Sequence, residues 1–108
     1  MLDIADNKKI FLYEKQIDFR KGIASLYYLI KTCYPNTDLS NTLFIFFATN
    51  RRQVKIIEIE ANSIWLYQNR LNDTKFAFPK CDMSSIKIDA RQLNIILHTV
   101  EKISHRKR

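Results

Sequence analysis

The spacing of the apolar side chains changes once along this chain, and that change most constrains its fold. Before residue 35 the apolar side chains recur every three or four residues, at Phe19, Ile23, Leu26, Ile30 and Tyr34. Steps of three and four place side chains on one face of an α-helix. Asp18 is a good N-cap residue and Pro35 cannot continue a helix, so the pattern predicts a helix over 18–34.

After residue 42 the pattern is typical of β-strands. Four segments rich in β-branched and aromatic residues span 43–47, 54–60, 63–70 and 75–78. They are separated by turn-forming stretches near 49–53, 61–62 and 72–74. We predict an antiparallel meander of about four strands, preceded by a short N-terminal strand over 9–14 that lies at an edge.

A second helix is predicted to begin at Asp89. Asp89 and Gln92 have the spacing of a capping box, and Ile88 can pack on Leu93 beside it. The apolar face of this helix consists of Leu93, Ile96, Leu97 and Val100. The order of strand, helix, meander and helix indicates an α+β fold in which two helices pack on one face of the sheet.

The length and composition indicate a single domain. The 108 residues are 46% hydrophobic and 27% charged, as in globular proteins. We expect a core over about 9–103 and a disordered basic tail over 104–108. No apolar run approaches the roughly 18 residues of a membrane span, and the N-terminus has no apolar signal segment. Cys33 and Cys81 show no disulfide pattern, so we expect reduced thiols in a cytoplasmic protein without membrane association.

The sequence predicts neither a catalytic site nor a metal site. His98 and His105 have no acidic or thiol partner at ligand spacing. Cys33 lies near a helix end, where a thiol is more often packed than reactive. Glu58 and Glu60 share a strand face, where we expect solvated carboxylates. A single glycine excludes a glycine-rich phosphate loop. We therefore expect a non-catalytic protein with no cofactor, no metal and no small-molecule substrate.

The basic residues favour an anionic partner. The chain has 18 Lys and Arg against 11 Asp and Glu, which gives a net charge of +7. Such an excess of positive charge can serve only to keep a protein soluble, or it can bind a nucleic acid. Arg20, Lys21 and Gly22 fall in the first turn of the predicted helix, where cations and glycine are locally unfavourable. We predict an anion site there, with Gly22 allowing close approach of a ligand backbone. The alternative is that Arg20 pairs with Asp18 and Gly22 admits a strand of the protein's own sheet.

Two further basic clusters lie elsewhere in the chain. Arg51 and Arg52 occupy the tip of the first predicted hairpin, and Lys55 lies at the start of the next strand. The tail carries Arg106, Lys107 and Arg108. Arginines on a protruding tip suit phosphate contact, although charged turn and tail residues are often only solvated. The three clusters together favour a nucleic acid as partner.

Several motifs occur in the order seen in a known family. The family's D-M-R-K-G-x-x-x-L opening is matched by DFRKG at 18–22 and by Leu26. Its L-F-V-F…R…L-K-I-L block is matched by 43–46, Arg51 and 54–57. Its W-D-G-x-G…L…K-R-L…F…W-P block is matched at Glu60, Leu66, 70–71, Phe76 and Pro79, and its Q-L-x-x-L-L helix at 92–93 and Leu97. From residue 10 to 97 the chain thus resembles the small accessory protein, often labelled TnpB, of bacterial insertion sequences of the IS-sixty-six type.

The resemblance implies a helper in transposition, encoded beside the transposase, rather than the strand-cleaving enzyme. On that basis we expect binding to the DNA of insertion-sequence ends through the three basic clusters. The alternative is a protein-interaction module that docks on the transposase through an aromatic patch at Trp65, Tyr67 and Phe78. A third hypothesis is a nuclease that holds a divalent ion at Glu58, Glu60 or Asp18.

The chain also departs from the family pattern. The family's glycines in the turn after the third strand are replaced by Ala61, Asn62 and Ser63, and its Trp-Asp pair by 59–60. Its run of arginines after L-F-V-F is thinned by Phe47, Thr49 and Asn50. The 18–22 segment keeps the family's D-x-R-K-G pattern, which favours Arg20 and Lys21 as the main DNA contacts.

Overall fold

A computed structural model of the chain describes residues 8–13, 17–77, 86–98 and 100–102. Two helices and seven strands follow one another along these residues. In chain order they are β1 (Lys9–Tyr13), α1 (Ile23–Cys33), β2 (Thr42–Phe47), β3 (Gln53–Ile59), β4 (Ile64–Arg70), β5 (Thr74–Phe76), β6 (Ile86–Ile88), α2 (Ala90–His98) and β7 (Val100–Lys102). The predicted α+β class is confirmed. The predicted tail at 104–108 lies outside the described residues.

The main sheet has five strands in the order β4-β3-β2-β1-β6. β2, β3 and β4 form an antiparallel meander, whereas β1 is parallel to β2 because α1 connects them as a crossover. The meander therefore has three strands rather than the four predicted. The expected fourth strand is β5, which pairs with β7 in a separate two-stranded sheet. The prediction that the N-terminal strand lies at an edge is also wrong, because β1 lies between β2 and β6.

The two helices pack on opposite faces of the main sheet. Leu26 and Ile30 of α1 belong to one core, which we call the α1-side core, together with Tyr13, Leu39, Phe44, Phe46, Ile57 and Ile59. Ala90 and Leu93 of α2 belong to the α2-side core, with Ile10, Leu12, Leu43, Ile45, Val54, Ile56 and Phe76. The prediction that both helices cover one face is thus wrong. The physical reason lies in β2, whose successive side chains 43–46 are all buried because each face of the strand has its own core.

Helix α1 begins at Ile23, five residues later than predicted. Gly22 is its N-cap residue, and the carbonyl of Gly22 accepts the first helical hydrogen bond from the N–H of Leu26 at 3.0 Å. The Asp18 side chain accepts instead from the N–H of Arg20 at 2.9 Å, and its carbonyl from Lys21 at 2.9 Å. Asp18 therefore forms a turn before the helix, so Arg20 and Lys21 precede the first helical turn and do not lie in it.

Helix α2 begins as predicted. The Asp89 carboxylate accepts a hydrogen bond from the N–H of Gln92 at 2.7 Å, and the Gln92 side chain accepts from the N–H of Asp89 at 2.9 Å. This is the predicted capping box, which satisfies two backbone donors at the helix start. Ile88 and Leu97 pack against the α2-side core beside Leu93.

Candidate nucleic-acid interface

Residues 18–22 form an exposed basic turn, which we call the 18–22 loop. The Arg20 guanidinium donates two hydrogen bonds of 3.0 Å to the two carboxylate oxygens of Asp18. The Arg20 side chain is nevertheless 92% exposed, because the pair stands at the surface. The expected alternative of an Arg20–Asp18 pair is thus present. Arg20 keeps donors directed to solvent, since a guanidinium has five N–H groups and Asp18 uses two.

This pairing controls the ionisation of both side chains. Hydrogen bonds from the side chain and backbone of Arg20 lower the pKa of Asp18 to about 2. The same contact raises the pKa of Arg20. Asp18 is therefore fully ionised near neutral pH, and it neutralises one of the two cations of the loop.

Lys55 anchors the 18–22 loop to the sheet. Its side chain is directed towards the α1 face of β3 and is only 6% exposed. The ammonium donates to the carbonyl of Phe19 at 2.6 Å and to that of Lys21 at 2.7 Å, and it lies 5.4 Å from the centre of the Phe19 ring. A buried ammonium needs such partners to offset its lost hydration. Lys55, which we predicted as a phosphate contact, therefore lies beneath the loop with its charge directed at the protein's own backbone.

Gly22 leaves open space at the start of α1. Its φ of −90° and ψ of −170° are accessible to any residue, and a Cβ built there meets nothing within 4 Å. The alternative that Gly22 admits a strand of its own sheet is therefore wrong. The helix start has no side-chain cap and no acidic residue in its first turn. Its N–H groups thus face a surface that an anion can approach.

Arg51 and Arg52 lie at the β2–β3 connection, as predicted, but they also hold neighbouring backbone. Arg51 has a positive φ of 58°, and its carbonyl accepts from the N–H of Phe76 at 2.7 Å. The Arg52 guanidinium donates to the carbonyl of Leu71 at 3.4 Å and to that of Asn72. Arg52 therefore fastens the β4–β5 turn with two of its five guanidinium N–H groups.

The 18–22 loop and the β2–β3 connection lie at the same end of the sheet. Lys55, which holds the loop, follows Arg52 by three residues, a separation of about 10 Å along a strand that rises about 3.3 Å per residue. Arg70 pairs with Gln53 at this end of β4, and its side chain is exposed. Arg70 is not among the predicted site residues, although its place at the end of a predicted strand beside the hairpin tip is a usable signal. The tail cluster at 106–108 lies outside the described residues.

The carboxylate of Glu58 is buried, contrary to the expectation of a solvated strand face. Lys8 donates to it at 2.8 Å and the hydroxyl of Tyr67 at 2.7 Å. Burial raises the pKa of Glu58, but the hydrogen bonds from Lys8 and Tyr67 outweigh that effect and the pKa is lowered. The bond to Glu58 raises the pKa of Tyr67 to about 12. Lys55 faces the opposite side of β3 from Glu58.

Trp65 is the main exposed aromatic side chain on β4. It is 54% exposed and stacks on Tyr67 with ring centres 6.4 Å apart. Its indole N–H donates to Glu60 at 3.1 Å. Two members of the predicted aromatic patch therefore lie together, while Phe78 lies outside the described residues. Cys33 is exposed rather than packed as expected, with its sulfur 4.0 Å from the Tyr13 hydroxyl.

Neither a metal-binding cluster nor a membrane-spanning helix occurs among the described residues. No group of three or more His, Cys, Asp or Glu side chains in 8–13, 17–77, 86–98 and 100–102 has the geometry to hold a metal ion. No helix in the same part of the chain is long and apolar enough to cross a membrane.

A family model described as IS66 Orf2 like protein matches residues 8–107. The chain belongs to this family. IS66 Orf2 like proteins are accessory proteins of transposition by IS66-type insertion sequences, so the resemblance inferred from the motifs is confirmed. Comparison with curated proteins and with solved structures finds no match.

The motifs of the IS66 Orf2 like family occupy defined places in this structure. The opening motif is the 18–22 loop, and the apolar block at 43–46 is the centre of the sheet. Lys55, within the second block, joins the two through its bonds to the loop. Sequence reasoning missed this role, although a lysine amid the apolar run 54–57 was a signal for a buried cation with partners.

Proposed function

We propose that this IS66 Orf2 like protein is a non-catalytic accessory factor of transposition that binds the DNA of insertion-sequence ends through the 18–22 loop. The observation that carries the proposal is an exposed arginine on a loop fixed from below by a buried lysine. A cation on a fixed loop loses less conformational freedom when it contacts a phosphate.

Three kinds of donor converge at this loop. Arg20 and Lys21 supply exposed cations, and the uncapped start of α1 supplies backbone N–H groups. The phosphate backbone is bound by these donors: arginine, lysine and helix N-termini. Gly22 adds no side chain, so a DNA backbone can approach the helix start. In this proposal Lys55 positions the loop and Arg70 extends the positive surface towards β4.

Asp18 lowers the affinity of this site for anions. Its carboxylate holds two donors of Arg20 and repels a phosphate. Since the pKa of Asp18 is about 2, protonation does not remove this charge at any ordinary pH. DNA must therefore either bind the remaining guanidinium donors or displace the carboxylate. We expect moderate affinity that depends strongly on salt.

The test is titration of insertion-sequence terminal DNA with full-length protein at several salt concentrations. The double variant Arg20→Ala, Lys21→Ala should bind more weakly, with the salt slope reduced by about 1 for each lost phosphate contact. The control is Lys31→Ala, Arg91→Ala, which removes the same charge from exposed positions on α1 and α2. Equal losses in the two double variants would show that net charge alone matters and would refute the site.

A second candidate is a docking module for the transposase, favoured by the exposed ring of Trp65. Aromatic side chains are enriched at protein interfaces. Co-purification with the transposase from a nuclease-treated lysate, lost in Trp65→Ser and kept in Arg20→Ala, would support it. If DNA titrations show binding and nuclease treatment abolishes co-purification, this candidate fails.

A further inference from the structure

Strand β4 is an edge of the main sheet, and no other strand among the described residues pairs with its outer side. It has seven residues paired to β3 without a break, whereas the strand at the other edge, β6, has three. Proteins protect sheet edges with short strands, prolines, bulges or lysines. β4 contains none of these and carries a single charge, Arg70, at its last position. Such an edge is suited to pairing with another strand.

The hydrogen bonds at the two ends of β4 define which backbone groups point outward. The N–H of Glu60 bonds the carbonyl of Ser63 at 2.9 Å, and the N–H of Leu71 bonds that of Arg52 at 2.7 Å. Hydrogen-bonded pairs alternate along an antiparallel ladder. Between these two pairs, the residues whose backbone points to β3 are therefore Trp65, Tyr67 and Asn69. Those whose N–H and C=O point away are Ile64, Leu66, Gln68 and Arg70, and no described strand pairs with them.

We propose that β4 pairs antiparallel with β4 of a second copy of this chain, centred on Tyr67. In this register Ile64 lies opposite Arg70 of the second copy, and Leu66 lies opposite Gln68. All four outward-facing residues of each strand then form hydrogen-bonded pairs, with two bonds per pair. The two main sheets become one continuous sheet related by a two-fold axis, the commonest symmetry of protein oligomers.

The side chains of β4 are compatible with their own copies. The one charge, Arg70, meets Ile64, so no like charges lie opposite each other even though each chain has a net charge of +7. Tyr67 meets Tyr67 in a non-hydrogen-bonded pair, where side chains approach most closely and aromatic pairs are favourable. Trp65, 54% exposed in the single chain, lies opposite Asn69 and diagonal to the second Tyr67. A strongly charged partner strand finds no complementary charges along β4 before Arg70.

The pairing has a consequence for the surface of the dimer. Because opposite residues share a face, the two-fold axis runs perpendicular to the sheet, and both 18–22 loops lie on the same side. If the proposed DNA contact is also correct, one dimer presents two DNA contacts to two inverted half-sites. The pairing itself does not depend on DNA binding, so the two proposals fail separately.

The first test is sedimentation velocity of full-length protein over a concentration series without DNA. The expected result is a mass that rises from monomer to dimer. Gln68→Pro removes an outward N–H while leaving the bonds to β3, and proline is tolerated at such edge positions. It should raise the dissociation constant at least about tenfold, whereas Gln68→Thr, which keeps the N–H, should not. A monomer at every concentration, or equal dimerisation of both variants, would overturn the proposal.

The second test fixes the register. In a Cys33→Ser, Cys81→Ser background, Tyr67→Cys places two sulfurs opposite each other at the two-fold axis, where a disulfide can form. Asn69→Cys is the matched control, because it lies on the same face of β4 but about four residues from its own copy, roughly 13 Å along the strand. Mild oxidation should link the first variant into a covalent dimer and leave the second monomeric on a denaturing gel. Equal linkage of both would indicate unspecific association and contradict this register.

Discussion

The ammonium of Lys55 lies 2.7 Å from the carbonyl oxygen of Lys21, and this bond joins a residue of the central meander to the basic loop before α1. The two residues are 34 positions apart. A second bond from the same ammonium to Phe19 makes the contact a clamp on the loop backbone. The position of Arg20 and Lys21 thus depends on a side chain that is itself hidden from any ligand.

Replacing Lys55 by methionine should loosen this loop. The change keeps the buried apolar stem and removes hydrogen bonds made by a charged donor, so we expect a loss of about 1.5–3 kcal/mol in the free energy of unfolding. Affinity for terminal DNA should also fall, while the salt slope should change less than in Arg20→Ala, since Lys55 contacts no phosphate. Urea denaturation and DNA titration measure the two effects. The control is Lys31→Met, which replaces an exposed lysine on α1. It should leave the free energy of unfolding and the DNA affinity nearly unchanged.

Replacing Asp18 by asparagine should strengthen anion binding. The change removes the carboxylate that neutralises Arg20 but keeps an oxygen that can accept from the backbone N–H of residue 20. DNA affinity at low salt should rise several-fold, because the charge of Arg20 is no longer neutralised by Asp18. An unchanged or reduced affinity would show that Asp18 holds Arg20 in its binding position and does not compete with the phosphate.

The effect of Asp18→Asn on the stability of the fold should depend on pH. The pKa of Asp18 in the folded chain is about 2, below its ordinary value of 3.8, so ionised Asp18 favours the folded state. That contribution is present above pH 4 and is lost as the pH falls through about 2. Any stability difference between the wild type and Asp18→Asn should therefore shrink over that range in acid denaturation curves. A difference that persists unchanged at the acid end would contradict the ion pair as its source.

Replacing Glu58 by glutamine should affect both stability and the ionisation of Tyr67. The buried carboxylate accepts from Lys8 and Tyr67, so the change should cost about 1.5–3 kcal/mol in the free energy of unfolding. The raised pKa of Tyr67, about 12, stabilises the fold below pH 10 and ceases to do so as the pH rises towards 12. In the variant this pKa should fall towards 10, which NMR of the labelled tyrosine ring carbons can follow. Tyr34→Phe leaves this cluster intact and should not move the Tyr67 signal.

Strands β1 to β5 and the turns between β2 and β5 are predictable because they depend on local pattern. Strands β6 and β7 are not predicted, and Val100, predicted on the second helix, lies in β7. The arrangement of the helices on the sheet is not a local property. The continuous apolar run 43–46 indicates burial on both faces of the strand, but it does not show which helix covers which face, and the prediction that both helices lie on one face is wrong. The start of α1 was misplaced because an aspartate that accepts from the N–H two residues ahead forms a turn as readily as a helix cap. Contacts such as Lys55 with Phe19 join residues 36 positions apart, and no local pattern predicts which loop a buried lysine meets.

Replacing Arg51 by glycine should affect stability less than replacing Arg52 by glycine. Arg51 has a φ of 58°, which costs a residue with a Cβ about 1–2 kcal/mol and costs glycine nothing. Relief of this strain offsets part of the cost of losing the Arg51 side chain and of a more flexible unfolded chain, so Arg51→Gly should lower the free energy of unfolding by less than Arg52→Gly does. Arg52 instead fastens the carbonyls of Leu71 and Asn72, so Arg52→Gly should lose about 1–3 kcal/mol.

The variants Arg51→Gly and Arg52→Gly also distinguish DNA contact from support of the β4–β5 turn at the β2–β3 connection. If Arg51 contacts phosphate, Arg51→Gly should weaken DNA binding and lower the salt slope, because one phosphate contact is lost. Arg52→Gly should weaken binding only as far as the β4–β5 turn moves, with little change in the salt slope, because its guanidinium already bonds protein carbonyls. Thermal denaturation and DNA titration of the two variants supply the comparison. A larger fall in salt slope for Arg52→Gly than for Arg51→Gly would assign the phosphate contact to Arg52.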